Sequence, residues 1–182
     1  MNNNITDKYS KDDAYKVLEL TNSWISNVDT KASFGLAFIV ALLSIIFYNA
    51  GTTPAAFQEL IVASIEKNIT CCVIIKATVV MLMYLSCLAS IILFFLSIIG
   101  RINNNAAKKS MLFFGTISSL SINDFKVKVL NMNDKDLTKD ILEQAHINSC
   151  ICAKKFSFYN KGLWTLLISV ILFFICMMFN MI

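Results

Sequence analysis

The residues best placed to do chemistry in this sequence are few, and they stand where polar segments meet apolar ones. Trp24-Ile25-Ser26-Asn27-Val28-Asp29-Thr30-Lys31-Ala32-Ser33 sets an indole, a carboxylate, an ammonium and several hydroxyls just before the first apolar run. Charged side chains there are costly unless they lie at the interface, pair, or face a protein cavity. Asn148, Lys154 and Lys155 precede the last apolar run, and Phe114, Gly115 and Thr116 lie in the connector between. Two readings of this set stand side by side. In one, Trp24 packs, Asp29 pairs with Lys154 or Lys155, and the lysines snorkel to lipid headgroups. In the other, the set lines an anionic pocket. Lysines neutralise a phosphate, an indole or Phe stacks on a base, and a carboxylate or amide reads its edge.

No enzyme signature accompanies these residues. The chain has one histidine, His146, and no Ser/His/Asp ordering. His146 and Cys150 are four apart on a helix and share a face, but two ligands do not make a zinc site. With 5 glycines and no close cluster of them, there is no phosphate-cradling loop. The residues call for neither a metal nor a cofactor.

The elements that must position the polar set follow from composition. Of 182 residues, 57% are hydrophobic and only 15% charged, against about half and a quarter in soluble domains; mean hydropathy is +0.65. The excess lies in three apolar blocks, Ala32–Tyr48, Ala77–Ile99 and Leu163–Ile182. A helix needs about 20 apolar residues to cross the hydrocarbon core. The spacing therefore predicts an all-α integral membrane protein with spans at about 32–50, 77–100 and 163–182. A cleaved signal peptide is not expected, because acids precede the first block and no small-residue cleavage site is evident.

Orientation follows from the basic residues in the flanks. Lys8, Lys11, Lys16 and Lys31 precede the first span, and only Lys67 and Lys76 separate the first two. Arg101, Lys108, Lys109, Lys126, Lys128, Lys135, Lys139, Lys154, Lys155 and Lys161 fall between the second and third. This places residues 1–31 and 101–162 in the cytoplasm of a cell whose inner membrane holds the chain. The 51–76 loop and the C-terminus then face outward. The six cysteines are expected as free thiols, since their placement fits no disulfide framework.

Apolar residues at Ala14, Val17, Leu18, Thr21, Trp24, Ile25, Val28 and Ala32 form one helical stripe, so 12–48 reads as a single long helix. Asn49 to Pro54 is turn chemistry. Beyond it, Phe57 to Ile65 reads either as an interfacial helix or as the start of an over-long second helix. The second is favoured, because no Pro or Gly separates 57 from 99. That helix would run on through Asn103–Lys109 to about Phe114. Gly115–Ser118 reads as a turn, Ser121–Leu130 as a short helix and Asn131–Asp134 as a loop. From Asp136 a helix runs into the third span, with Gly162 allowing close helix approach. The cytoplasmic segments would form a small helical bundle, all within one domain of residues 1–182.

Three stretches of this sequence resemble one known family. Trp24-Ile25 with Asp29-Thr30-Lys31-Ala32-Ser33 is similar to the N-terminal motif of the small transmembrane effectors of bacterial Pycsar antiphage defence. Phe113-Phe114-Gly115-Thr116-Ile117-Ser118 resembles that family's aromatic-Gly-x-Ile turn, with Thr116 where an acid is the pattern. Gln144, Asn148, Ile151 and Lys155 resemble its run before the last span. Order and spacing agree over roughly residues 14–175.

The resemblance implies an effector triggered by a cyclic pyrimidine mononucleotide, cyclic CMP or cyclic UMP, made by a partner uridylate or cytidylate cyclase. It implies impairment of the inner membrane and abortive infection. It also adds Gln144 to the ligand set Trp24, Asp29, Lys31, Phe114, Gly115, Thr116, Asn148, Lys154 and Lys155. A ligand clamped between the first and last helices would move the spans. Three spans are few for an aqueous path, so a homo-oligomer is expected, with Ser86, Ala89, Ser90 and Ser97 offering close contacts. No nucleic-acid partner is implied. The alternatives are a pore-forming effector of another nucleotide signal, or a small membrane scaffold or transporter subunit. The spans lack the mid-membrane ionisable residues a transporter usually shows.

Overall fold

The computed structural model describes residues 10–51, 53–99 and 110–182, and all regular structure in them is helical. The helices are α1 (Lys11–Ala50), α2 (Ala55–Ile65), α3 (Cys71–Ile98), α4 (Phe114–Ser118), α5 (Ile122–Leu130) and α6 (Asp134–Met178). The chain forms two compact units. One comprises residues up to Asp29 with Ile99–Phe156, the other Thr30–Ile98 with Ser157–Ile182.

In the first unit α1 starts on a reciprocal cap. Ser10 Oγ accepts from Asp13 N at 3.1 Å, while the Asp13 carboxylate accepts from Ser10 N at 3.1 Å and from Ser10 Oγ at 2.8 Å. Those bonds from Ser10 hold the Asp13 carboxyl below its ordinary range. Ala14, Thr21 and Val28 are buried at a strict spacing of seven. Helix α5 opens on Ser121, whose hydroxyl accepts from Asp124 N. Near the start of α6, the Asp140 carboxylate accepts from Met111 N at 2.8 Å, tying the connector to that helix.

The second unit carries the apolar parts of α1, α3 and α6, each long and apolar enough to cross a membrane. Only 22%, 28% and 22% of their most apolar windows are buried, so most of that surface faces outward, as lipid-facing helices require. Inside, α3 buries Val80, Met83, Cys87, Ser90, Phe94 and Ser97, alternating steps of three and four. This is the seam of a left-handed helix bundle. Phe94 is fully buried. A Cβ at Gly35 of α1 would lie 2.6 Å from its ring, and one at Gly162 of α6 3.0 Å. The two glycines therefore make the slot this ring fills. Ser90 Oγ donates to the Gly162 carbonyl at 3.1 Å and Ser169 Oγ to Ser86 Oγ at 2.9 Å.

Several sequence expectations change here. The favoured over-long second helix is two helices: α2 ends at Ile65 and α3 begins at Cys71. Lys67 takes the left-handed conformation (φ 53°), and Asn68 N donates to the Ala63 carbonyl, so the chain reverses without Gly or Pro. Ala56 N donates to the Met181 carbonyl, and Lys76 pairs with Glu59 at 2.9 Å, holding α2 in place. Helix α3 stops at Ile98; the proposed extension over 100–109 lies outside the described residues, and 110–113 are not helical. Gly115 does not mark a turn but sits inside α4, where its missing side chain leaves room for the Phe113 ring. Ser86, Ser90 and Ser97, expected to serve contacts between copies, turn inward: Ser90 and Ser97 are buried, and Ser86 and Ser90 bond to α6.

Candidate functional site

The polar residues of the first unit meet along one line between α1 and α6. Asn148 Nδ2 donates to Asn22 Oδ1 at 2.7 Å, and Lys155 Nζ pairs with Asp29 Oδ1 at 2.5 Å. Both pairs join residues 126 apart, so the helices run parallel in a single register. Each helix places its two polar residues seven apart, the interval at which a helix returns the same face to its neighbour. Lower down, Lys11 Nζ reaches Asp134 Oδ1 at 3.0 Å. The hydrogen bond to Asp134, reinforced by its charge, raises the Lys11 ammonium above its ordinary value.

The two upper contacts differ in kind. Gln144, buried on α6, donates through Nε2 to Asn148 Oδ1 at 2.9 Å, which makes a relay of three amides with Asn22. Its own Oε1 is buried and accepts no hydrogen bond, alone in this among the side-chain polar atoms of the described residues. A buried acceptor left unpaired costs about 1–3 kcal/mol. The Lys155–Asp29 pair is asymmetric. The lysine side chain is 7% exposed and the aspartate 36%. Beside them, Cys152 is buried, and burial together with the Asp29 charge raises its thiol above the ordinary value.

The other sequence candidates lie in less enclosed positions. Trp24, Lys31 and Lys154 are exposed, and Trp24 keeps half its surface. Phe114 is 63% exposed and tilts against Phe113 at 4.8 Å between centroids, while Thr116 is buried. The hydrogen bonds that α4 makes among the described residues stay within 113–120. The geometry thus gathers Asp29, Gln144, Asn148 and Lys155 along the α1–α6 line, while Phe114, Gly115 and Thr116 lie on the separate short helix α4. Asn22 was not singled out from sequence, although it stands seven residues before Asp29 as Asn148 does before Lys155. That matched interval was the available signal. His146 Nε2 lies 3.9 Å from Cys150 Sγ on the exposed side, and no cluster of three metal-ligating groups occurs among the described residues. All six cysteines are free thiols.

This arrangement offers an anion a buried ammonium, and a neutral donor group a buried carbonyl oxygen, on one side of a parallel helix pair. No solved structure matches the chain. It is 37% identical over 95% of its length to the Pycsar effector protein GmPycTM of Gulbenkiania mobilis, covering 94% of that protein. It is 25% identical to the Pycsar effector protein PtPycTM of Propioniciclava tarda, over 93% of this chain and 80% of that one. A family model described as PycTM, the Pycsar effector protein domain, matches residues 13–181, nearly the whole helical assembly described above. With three membrane-length helices and that match end to end, the chain belongs to the Pycsar transmembrane effector family of antiphage defence.

Proposed function

We propose that this membrane protein is a non-enzymatic effector that senses a cyclic pyrimidine mononucleotide, cyclic CMP or cyclic UMP, through the α1–α6 polar contacts of its first unit. Sensing impairs the bacterial inner membrane and ends growth before a phage matures. The signal comes from a partner pyrimidine nucleotide cyclase. The basic flanks orient the chain with its N-terminus and residues 101–162 in the cytoplasm, where such a signal would be made. One observation carries the reading. The family match spans 13–181, and within it the residues of the resemblance include the buried ammonium of Lys155 and, on the same face of α6, the half-buried amide of Asn148, the groups a nucleotide's phosphate and base call for.

The exposed Trp24 supplies an aromatic face, the exposed Lys154 supplies positive charge next to Lys155 in sequence, and Lys31 belongs to the proposed ligand set through the family resemblance. Phe114, Gly115 and Thr116 belong to the proposed ligand set through the family resemblance. Helices α1 and α6 each carry residues of both units on one continuous helix. A ligand that favours one register or splay of the helix pair therefore shifts the membrane-spanning segments in proportion to its differential affinity. The family lesion then requires several copies, which assemble as a homo-oligomer.

The test is calorimetric titration of the detergent-purified protein with cyclic UMP, cyclic CMP and cyclic AMP, beside Lys31→Ala and Lys155→Ala. Pyrimidine-selective binding that Lys155→Ala abolishes is the expected result. No binding of any of the three by folded protein would overturn the reading.

A further inference from the structure

We propose that Asp29 is an internal competitor of the signal, holding in the resting chain the same ammonium of Lys155 that the phosphodiester of the nucleotide takes on activation. This rests on the function proposed above and adds its regulation. The argument starts from the asymmetry of the pair. Lys155 is 7% exposed at its side chain, so its charge needs a counter-charge in whatever state the unit adopts. Asp29 is 36% exposed and returns to water when displaced. The pair therefore opens in one direction, with the carboxylate leaving and the ammonium staying for a second anion.

A cyclic phosphodiester is a like-for-like replacement. It is a monoanion presenting oxygens to an N–H donor, as the carboxylate is. The exposed Lys154 is the next residue on α6, which adds positive charge to the local field that an anion meets. Displacing Asp29 also removes a contact that, with Asn22–Asn148, holds the α1–α6 register at 126. Binding is thereby linked to loosening of the helix pair, and the carboxylate sets the threshold. An occupied Lys155 lowers the apparent affinity by the fraction of chains in which it is free.

Position selects between this exchange and a simple extended site. Gln144 and Lys155 are eleven residues apart on one helix, about 16 Å along the axis. That is beyond the reach of one mononucleotide from phosphate to base edge. Asn148, about 10 Å from Lys155 on the same face, is the nearer amide. The competitor for Lys155, not an added distant contact, is then the determinant of sensitivity.

The experiment titrates wild type, Asp29→Asn, Asp29→Glu and Lys155→Ala with the preferred cyclic pyrimidine nucleotide in phospholipid-free detergent, and repeats the series with phosphatidylglycerol added. The exchange predicts that Asp29→Asn binds about tenfold tighter or more, while Asp29→Glu binds as wild type and Lys155→Ala not at all. In cells, Asp29→Asn should arrest growth at a lower signal level. If Asp29→Asn does not fold unliganded, its recovery by nucleotide beyond that of wild type in a thermal-shift assay reads the same exchange. Absence of that recovery would overturn it.

Equal or weaker binding by folded Asp29→Asn would overturn this inference alone, since the carboxylate would then be a bystander or a ligand contact. Loss of nucleotide binding to competing phosphatidylglycerol would assign the phosphodiester to lipid and overturn it too. Failure of wild type to bind any cyclic nucleotide removes the parent reading, and this inference falls with it.

Discussion

Gln144 presents the clearest conflict between stability and use in the molecule. Its Nε2 joins the amide relay while its Oε1 stays buried without a donor. Gln144→Leu removes that orphan at the cost of one hydrogen bond to a half-buried partner. Unfolding in detergent should therefore become harder by about 1 kcal/mol, read from equilibrium denaturation. A more stable variant that no longer binds nucleotide would show that Gln144 positions Asn148 for the ligand. At this scale the sequence was half legible. Asp29 was expected to meet Lys154 or Lys155, and the structure selects Lys155. Adjacent helix residues point about 100° apart, so only the buried stripe decides between them. That stripe repeats through Ile141, the half-buried Asn148, Lys155, Gly162, Ser169 and Cys176. Trp24 carries no such signal, because an indole suits an exposed rim as well as a core.

Among the elements, the long helices were legible and the short ones were not. Apolar periodicity sustained over forty residues leaves α1 no alternative state, and Lys11–Ala50 lies within two residues of the expected bounds. The breaks at Lys67 and at Phe113 depend on one residue taking the left-handed region and one glycine yielding space to a ring, neither of which periodicity records. Gly35 and Gly162 belong to the same class, since their purpose lies on α3. Gly35→Ala gains helix propensity but sets a methyl 2.6 Å from the Phe94 ring. It should destabilise the second unit by about 1–2 kcal/mol net. Phe94→Leu in the same chain should recover much of that loss. A double-mutant cycle in detergent checks it, and an additive result would mean the ring moves freely.

For the molecule as a whole, the three membrane-length helices and the basic flanks make orientation a measurable property. Cys71, Cys72 and Cys150 are exposed, whereas Cys87, Cys152 and Cys176 are buried. An impermeant maleimide applied to spheroplasts should label Cys71 and Cys72 at once and Cys150 only after lysis. Cys152, buried and with its thiol raised above the ordinary value, should stay unlabelled in the folded protein at neutral pH. Labelling of Cys150 in intact spheroplasts would reverse the orientation. The Phe94 slot carries one more implication. A ring wedged between Gly35 and Gly162, with Val80, Met83 and Cys87 in the same buried seam of α3 and the Ser86 and Ser90 hydroxyls bonded to α6, packs the interior of the membrane unit. On the function proposed above, ions that cross the bilayer because of this protein would travel along borders between copies. Damage should accordingly climb with a power of the number of molecules per cell, giving a low dose almost no effect and a slightly higher one a lethal effect.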